Sequence, residues 1–509
     1  MGDRGMDRRE WLRVATALAG FVILASYNLA MVPQPWWDEG WTMSVARNWV
    51  EHGHYGHYLL GQPSSPALSA HLPVVTLVAL GFELLGVGMV QARMVFVLCS
   101  VLTLLLLYVM TRTLFSRRAA AVVLLVVCIF PPQWELSMFL MGRQVLGEIP
   151  AVMLIFVAIL MLWRSDGTRW WSLIIAGGSF GLALTTKSQV VPFVVLALAA
   201  TSLLMLPRDR PLALRLMGVL GTAVAVMYGL GWLRSLLLMN PGVRPDSVVG
   251  LTEVTAMVFD KEVRINALRF ALAGAMPLTA ALCFQLSQLF RGERRDNEPV
   301  WNTAVRRVLF LIGGSWFAWF VFLSVGWGRY AFPPFLLASP FVAALIVRLV
   351  DQTRGTPSGP DARSPGVWSR ATAASLLALF LLVAGRQIVI GARDLPPSVM
   401  ESGLQQTATY LNMELADGDS IETYESELLF LLDRPVHFPP PQLNVDTIRK
   451  NYIDPSWNFP YDLTTVTADY IVVGAFGKGL YDPLVAAGRY RPFKCIGTYT
   501  LLKRTVAGQ

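Results

Sequence analysis

Two adjacent acids, Asp38 and Glu39, follow the first long apolar run of the chain and lie among tryptophans, in PQPWWDEGWTMSVARNW (33–49). The prolines predict that the first helix stops here, and Gly53 predicts the end of the next one. A carboxylate at that helix start can accept the proton of an attacking hydroxyl group, and aromatic rings beside it can face sugar rings or lipid. The alternative is an ordinary helix start, with Asp38 as the N-cap and Glu39 complementing the helix dipole.

An aromatic stripe runs along this predicted second helix. Trp37, Trp41, Val45 and Trp49 recur every four residues, which is the spacing of one helical face. We therefore expect the helix to lie at the membrane interface. The segment EHGHYGHY (51–58) follows it, and its three histidines are compatible with a metal site or with an interfacial loop.

Three cations adjoin apolar runs at positions where the positive-inside rule predicts few positive charges. They are Lys187 in LALTTKSQVVP, Arg329 in GWGRYAFPPF and Arg143 in MGRQVLGEIP. A cation at the edge of a membrane often extends toward the lipid headgroups without any further role. Ionisable residues at membrane depth are nevertheless candidates for function. Both interpretations are open at this stage.

The composition places these residues in a membrane protein. Apolar residues make up 54% of the 509 residues and charged residues only 15%, against about 25% in a soluble domain. Apolar runs of about 20 residues, enough to cross about 30 Å of hydrocarbon, recur along the chain. Eleven spanning helices are expected, at about 11–31, 90–114, 118–137, 146–164, 171–187, 190–206, 213–236, 267–290, 305–325, 329–350 and 370–391. The net charge of +8 does not indicate nucleic-acid binding, because the excess arginine lies in short loops between these runs.

Arginine-rich loops alternate with loops poor in positive charge, which predicts the orientation of the protein. By the positive-inside rule, the arginine-rich loops and the basic N-terminus are cytoplasmic. The long segments 32–89 and 237–266 and the C-terminal tail are then extracytoplasmic. Residues 66–89 are apolar, but prolines and ionisable residues interrupt them, and a span there would turn the arginine clusters outward. We therefore expect an interfacial or re-entrant element at 66–89, in a multi-pass protein of the cell membrane.

From about residue 395 the composition changes to that of a small soluble domain, after a flexible cytoplasmic linker at 353–368. Its predicted elements are one helix and three strands, at 401–416, then at 420–425, 468–476 and 491–504. The expected fold is an all-α polytopic membrane domain of about eleven transmembrane helices, followed by an extracytoplasmic α/β domain. The two domains occupy residues 1–394 and 395–509.

These motifs resemble the GT-C superfamily of polyprenyl-phosphate-sugar-dependent glycosyltransferases. The chain is most similar to bacterial relatives of protein O-mannosyltransferases and of the lipid A aminoarabinose transferase. Five segments carry the resemblance: Asp38-Glu39 in the first outer loop, GRQVLGEIPA (142–151), GLALTTKSQ (181–189), RYAFPPF (329–335) and a tail ending in DYIVVG…GTYTLLKR. The resemblance implies a GT-C membrane domain and an inverting transferase, in which Asp38 is the base and Glu39 its neighbour. It also implies that Lys187 and Arg329 contact the donor phosphate; Arg143 is a third candidate because of its position against the charge rule.

The resemblance also implies the partners: a polyprenyl-phosphate-linked sugar donor, and an acceptor hydroxyl group on a lipid, a glycan or a protein. Some members of the superfamily bind a divalent metal, so a metal site is allowed, with no ligands identified. The topology favours a lipid-linked donor independently, because nucleotide sugars are normally absent outside the cytoplasm. Since phosphate is a good leaving group, one base and a cationic cradle are sufficient.

Two other functions compete with the transferase. A secondary transporter or lipid-carrier flippase also has many spans and rare intramembrane charges. A non-catalytic sugar- or lipid-binding scaffold would need only the aromatic residues. The odd number of spans, the paired acids and the lack of paired repeats with broken helices favour the transferase.

Overall fold

The computed structural model describes residues 6–66, 70–128, 136–238, 248–291, 299–355, 367–393, 403–458 and 461–505. Most of these residues are helical. The helices before residue 394 are α1 (Arg8–Ser26), α2 (Trp37–His52), α3 (Leu72–Leu85), α4 (Met89–Leu114), α5 (Arg117–Cys128), α6 (Met138–Met141), α7 (Glu148–Ser165), α8 (Trp170–Thr186), α9 (Val191–Met205), α10 (Arg210–Leu237), α11 (Leu251–Thr255), α12 (Lys261–Arg269), α13 (Met276–Arg291), α14 (Val300–Phe322), α15 (Phe332–Thr353) and α16 (Val367–Arg393).

The apolar helices make the chain an integral membrane protein. Among the described residues, six helices are long and apolar enough to span: α4, α7, α9 with its preceding 3₁₀ turn, α10, α14, and α15 with its preceding turn. A seventh span is possible if Lys261–Gly274 and Met276–Gln288, which are bent by 88° at their junction, count as one. Each of the eleven predicted spans overlaps a helix, but the count of eleven and the sidedness stay predictions.

Burial separates the central helices from the peripheral ones. In the apolar part of α15, 72% of the residues are buried inside the protein, whereas in that of α10 only 17% are. An apolar helix with so much free surface is stable only if lipid covers it. Helix α15 therefore lies at the centre of the bundle and carries the site described below at its N-terminal end.

The described part of 66–89 contains the short helix α3 and no full span. Helix α3 starts after His71, has Pro73 in its first turn and ends at Gly86. Its 14 residues give a length of about 21 Å, which is less than the hydrocarbon thickness of about 30 Å. This length favours the predicted interfacial or re-entrant element, whose side of the membrane stays a prediction. The predicted linker at 353–368 lies mostly outside the described residues.

The C-terminal part contains a five-stranded mixed sheet of strand order β4-β3-β5-β7-β6. Its strands are β3 (Ile421–Thr423), β4 (Val436–His437), β5 (Tyr470–Val473), β6 (Tyr490–Ile496) and β7 (Tyr499–Arg504); β1 (His57–Leu59) and β2 (Gln62–Ser64) form a separate hairpin earlier in the chain. Strand β3 pairs in parallel with β4 and β5, and β7 is antiparallel to β5 and β6. The helices of this part are α17 (Gly403–Met413), α18 (Gln442–Tyr452) and α19 (Asp482–Ala486).

The single strand predicted at 491–504 is wrong, because this segment is the β6–β7 hairpin. Gly497, with φ of 58°, opens the turn between the two strands. A positive φ at that position matches the twist of a tight hairpin, and glycine adopts it without strain. The segment KCIGTYT (494–500) hid this turn, since the residues on both sides of Gly497 favour strands. Strand β4 and helix α18 were not predicted.

Candidate active site

Asp38 and Arg329, which are 291 positions apart in the sequence, form an ion pair. The Nη1 atom of Arg329 donates a hydrogen bond of 2.9 Å to Oδ2 of Asp38. Asp38 lies in the first turn of α2, and Arg329 lies in the turn that precedes α15. The structure therefore brings together the predicted base and one of the predicted phosphate ligands.

Asp38 is not the N-cap of α2, so the interpretation of it as an ordinary cap is wrong. Trp36 is the capping position, and its backbone N–H donates to Oε2 of Glu39 at 2.9 Å. The carboxylate of Glu39, the third helical residue, accepts the free N–H group at the start of the helix. The carboxylate of Asp38 is therefore not needed as a cap and is directed toward Arg329. Gly53 ends the helix in the left-handed conformation, which confirms the predicted end.

Glu39 is completely buried and bonded on both oxygens. Arg93 of α4 donates to it through Nε at 3.0 Å and Nη2 at 2.8 Å, and the backbone N–H of Val145 donates at 2.9 Å. Arg93 also donates to the carbonyl groups of Leu29 and Pro33, both at 2.9 Å. Glu39 thus fixes the first turn of α2 relative to α4, and these contacts indicate a positioning role for it beside Asp38.

Lys187 pairs with Glu148, an acid that was not singled out in the sequence. Lys187 follows the last residue of α8, and Glu148 is the first residue of α7. The two helix ends approach closely at Gly147, where a Cβ atom would lie 2.7 Å from the Thr186 carbonyl oxygen. The side chains are 13% and 2% exposed. Glu148 also lies within electrostatic range of Arg329, so both ion pairs belong to one cluster.

His71 and Arg234 complete the cluster and were missed in the sequence. His71 precedes α3 and lies within electrostatic range of Asp38, Glu148, Lys187 and Arg234. Burial, reinforced by the neighbouring cations, lowers the pKa of His71 to about 4, so its imidazole is neutral at physiological pH. The signal in the sequence was that His71 is an ionisable residue at the start of an apolar segment. It was interpreted only as an interruption of a possible span.

Arg143 has a different environment from Lys187 and Arg329. It is 3% exposed, and its Nη1 atom donates to the backbone carbonyl groups of Ala25 at 3.1 Å and Tyr27 at 2.7 Å. These are free carbonyl groups at the end of α1, which a cation stabilises. The contacts argue against the predicted phosphate contact of Arg143 and give it a structural role.

The histidines of 51–58 serve the local fold. His54 lies 3.1 Å from the Ser64 carbonyl oxygen, and His57 contacts Ser44 Oγ at 3.1 Å and the ring of Trp41. Burial lowers the pKa of His57 to about 3, so this side chain is neutral. Within the described residues, no three His, Cys, Asp or Glu side chains are grouped to hold a metal ion. These residues therefore do not fit the divalent metal that the resemblance allowed.

The charges of the cluster suit an anion. Its ionisable groups are Asp38, His71, Glu148, Lys187, Arg234 and Arg329. The Asp38–Arg329 and Glu148–Lys187 pairs are each neutral, Arg234 near His71 adds one positive charge, and the neutral histidine adds none. The described cluster therefore has one positive charge in excess and a carboxylate at its edge, which is an arrangement able to bind a phosphate and accept a proton.

Comparisons with known proteins show which families and folds this chain is similar to. The family model described as dolichyl-phosphate-mannose-protein mannosyltransferase matches residues 71–232. No curated protein matches the chain significantly in sequence. A structure of ArnT from Cupriavidus metallidurans bound to undecaprenyl phosphate is similar over 98% of this chain and 99% of that one, with a TM-score of 0.58 and 14% identity.

Two further solved structures share the architecture. AglB, the archaeal oligosaccharyltransferase from Archaeoglobus fulgidus, in complex with an inhibitory peptide and a dolichol-phosphate, has a TM-score of 0.52 at 12% identity, over 97% of this chain and 74% of that one. The arabinofuranosyltransferase AftD from Mycobacteria has a TM-score of 0.51 at 15% identity, over 99% of this chain and 40% of that one. The chain has the GT-C fold. This confirms the resemblance to the GT-C superfamily.

In this GT-C fold, the C-terminal sheet packs against the helix that carries Asp38. The rings of Trp37 and Trp41 lie against Phe438 at centroid distances of 5.5 and 4.7 Å. The Ser426 hydroxyl donates to the Trp37 carbonyl group at 2.8 Å. A Cβ atom on Gly40 would lie 2.4 Å from backbone atoms of Ser426 and Glu427, so only glycine allows the helix to approach this segment so closely. The predicted aromatic stripe is thus covered in part by the sheet and does not lie free at the membrane interface.

One loop of the C-terminal part, residues 474–479, reaches the start of α2. Phe476 lies 5.8 Å from Trp36 and 5.3 Å from Trp37, ring centroid to ring centroid. The loop is wrapped around the buried carboxylate of Glu425, which accepts hydrogen bonds from the backbone N–H groups of Gly474, Phe476 and Gly477 at 2.7, 3.1 and 2.6 Å. The loop therefore has a fixed shape beside the candidate site.

Proposed function

We propose that the chain is a membrane glycosyltransferase that moves a sugar from a polyprenyl-phosphate-linked donor to an acceptor hydroxyl group. The observation that carries the proposal is the ion pair between Asp38 and Arg329, beside the pair between Lys187 and Glu148. Transfer of a sugar from a lipid-linked phosphate to a hydroxyl group requires a base for the hydroxyl proton and cations for the departing phosphate, close to the ends of apolar helices. The ligands named with the neighbouring structures, undecaprenyl phosphate in ArnT and dolichol-phosphate in AglB, support the donor class.

The donor phosphate binds between Lys187 and Arg329 in this proposal. Both residues adjoin the ends of apolar helices, where the phosphate of a membrane lipid lies. Arg329 can grip two phosphate oxygens with its planar guanidinium group, whereas Lys187 supplies a point charge. Arg234 adds a third cation to the same cluster.

Asp38 is the general base of the proposed step. It takes the proton of the acceptor hydroxyl group while the acceptor oxygen bonds to the anomeric carbon of the sugar. The bond from that carbon to the phosphate oxygen breaks, and its electron pair leaves with the polyprenyl phosphate. Lys187 and Arg329 stabilise this leaving group, so that a general acid is not required. Direct displacement inverts the anomeric carbon, and a positioned base contributes about 10²–10⁴-fold to such a rate.

The C-terminal part contributes the acceptor side of the site. Phe476 extends the aromatic surface of Trp36, a residue that is partly exposed and adjoins both Asp38 and Arg329. An acceptor that approaches Asp38 along this surface can contact both rings. We assign the transferase step to residues 1–394 and acceptor contacts to 395–509, and the charge rule places both on the extracytoplasmic side.

The transport alternative receives less support from the site. A transported solute must enter and leave, but the cations of this cluster are bound to acids and aromatic rings, and the C-terminal sheet packs over the start of α2. The structural neighbours named as transferases, AglB and AftD, also favour group transfer.

The proposal is tested by mass spectrometry of cells with and without the gene. Loss of the protein should cause one polyprenyl-phosphate-linked sugar to accumulate and should remove the same sugar from one acceptor in the cell envelope. The masses identify the sugar and show whether the acceptor is a lipid, a glycan or a protein. Unchanged profiles of both the lipid-linked sugars and the envelope acceptors would contradict the proposal.

A further inference from the structure

The proposed base and the proposed phosphate ligand are bonded to each other. Their side chains are 27% exposed for Asp38 and 14% for Arg329, and the pair is therefore only partly accessible to water. In this geometry the guanidinium group occupies Oδ2 of Asp38, one of the two carboxylate oxygens that can accept a proton. One N–H group of Arg329 donates to Asp38 and is therefore not donating to a phosphate. While the pair persists, this oxygen and this N–H group are engaged with each other and not with substrate.

Aromatic rings hold the Arg329 guanidinium group in place independently of Asp38. Its Cζ atom lies 5.0 Å from the ring centroid of Trp36, 5.1 Å from that of Trp327 and 5.5 Å from that of Tyr330. Such rings attract the cation without offering it an oxygen acceptor. The buried Nε atom of Arg329 has no hydrogen-bond partner among the described residues. The guanidinium group can thus exchange its anionic partner without moving away from the site.

The Lys187–Glu148 pair likewise joins a proposed phosphate ligand to an acid. Glu148 is 2% exposed, and one of its oxygens, Oε2, has no hydrogen-bond partner in the described part of the chain. Lys187 is bonded to the other oxygen. Each of these two cations is therefore neutralised by an acid of its own, and an incoming phosphate must compete with a carboxylate.

We infer that donor binding exchanges the ion pair: the phosphate takes over Arg329 and releases Asp38, so that the base becomes free only when a donor is bound. This inference rests on the proposed function. The donor phosphate is esterified to both the lipid and the sugar, so it carries one negative charge and offers two free oxygens, which match an arginine fork. The donor consequently binds before the acceptor hydroxyl group is activated. In the absence of donor, Asp38 remains paired with Arg329.

Binding of undecaprenyl phosphate to the purified full-length protein in lipid nanodiscs tests the exchange. Asp38→Asn removes the competing charge and should tighten binding about tenfold, the value of one hydrogen bond to a charged group. Asp38→Ala removes the acceptor oxygen as well and should tighten it at least as much. Asp433→Asn, which changes the acid of another Asp–Arg pair with Arg47, is the matched control and should leave the Kd unchanged. Undecaprenol, which lacks the phosphate, should bind the wild type and all variants equally.

The outcomes separate this inference from the proposed function. If folded Asp38→Asn and Asp38→Ala proteins bind undecaprenyl phosphate no more tightly than the wild type, the exchange is wrong, although the wild type can still be a transferase. Equal tightening for undecaprenol would also overturn the exchange, because the effect would then not concern the phosphate. If the wild type prefers undecaprenyl phosphate to undecaprenol by no measurable factor, the proposed donor site itself is contradicted.

Discussion

Arg93 holds Glu39 through two hydrogen bonds, of 3.0 Å from Nε and 2.8 Å from Nη2, and neither side chain is exposed. The pair connects the helix that carries Asp38 to α4. It also reaches the loop after α6, because the backbone N–H of Val145 bonds to the same carboxylate. The two adjacent acids of the sequence therefore differ in environment, since Glu39 is buried within the protein and Asp38 faces the cationic cluster.

Arg93→Met should destabilise the protein severely. It leaves the buried Glu39 carboxylate with an uncompensated charge, and breaking such a pair costs about 3–5 kcal/mol. Thermal unfolding in detergent measures the effect. Arg118→Met is the control, because Arg118 pairs with Asp351 at the surface and is 56% exposed. A similar melting temperature for the two variants would show that the Glu39–Arg93 pair does not stabilise the fold.

Arg329→Met should weaken binding of undecaprenyl phosphate while the protein remains folded, and so should Lys187→Met combined with Glu148→Gln, which leaves no buried carboxylate without its cation. The loss of affinity should be about tenfold or more for the Arg329 variant. It should exceed the loss for the Lys187 variant, because the Arg329 guanidinium group can bond to two phosphate oxygens. Isothermal titration or a fluorescence assay in nanodiscs measures the Kd. Arg143→Met should instead lower the melting temperature, because Arg143 stabilises the end of α1. Unchanged affinity in both Lys187 and Arg329 variants would make these residues ordinary interfacial cations.

Phe476→Ala should impair use of the acceptor and leave donor binding intact. It removes the ring that extends the Trp36 surface, whereas the cationic cluster stays as it is. Kinetics with the acceptor identified by mass spectrometry should show a higher KM for acceptor and an unchanged Kd for undecaprenyl phosphate. Phe493→Ala is the matched control, because Phe493 is an exposed ring on β6 that contacts Tyr470. Equal acceptor KM values in the two variants would remove Phe476 from the acceptor surface.

His437 should make the stability of the C-terminal part depend on pH. The hydrogen bond to the buried Glu422 carboxylate raises the pKa of His437 above its usual value near 6.5. A raised folded pKa means that the pair stabilises the protein fully below the unfolded pKa and that this contribution is lost as the pH rises through the folded pKa. The difference in melting temperature between the wild type and His437→Gln should therefore be largest below about pH 6.

The control for this pH dependence is His52→Gln, which changes an exposed histidine whose ring lies against Tyr58. Its melting temperature should follow the wild type over the same pH range. A difference between the wild type and His437→Gln that stays constant with pH would contradict the ionised Glu422–His437 pair.

The sequence predicted much of this architecture because membrane helices follow from local composition. The apolar runs and the end of α2 at Gly53 needed no knowledge of distant residues. Hairpin β6–β7 was missed because strand-favouring residues flank Gly497 on both sides. Strand β4, of only two residues, depends on pairing with β3 and leaves almost no local signal.

The candidate site was predictable only in part, since its contacts join distant segments. The sequence predicted three of the site residues from their unusual position beside apolar runs: Asp38, Lys187 and Arg329. Their partners were not predicted, because nothing local marks Glu148 as the acid that faces Lys187. The charge pattern alone also could not distinguish Arg143, which binds backbone carbonyl groups, from the two cations of the cluster.

The central claim, that Asp38 is the general base, is tested most directly by the transfer rate of the Asp38→Asn protein. The substitution keeps the shape of the side chain and removes its ability to take a proton, so the fold should survive and the binding of undecaprenyl phosphate should not weaken. Single-turnover transfer of sugar from the lipid-linked donor identified in cells should fall by about 10²–10⁴-fold. A well-folded Asp38→Asn protein that transfers sugar at nearly the wild-type rate would contradict the account.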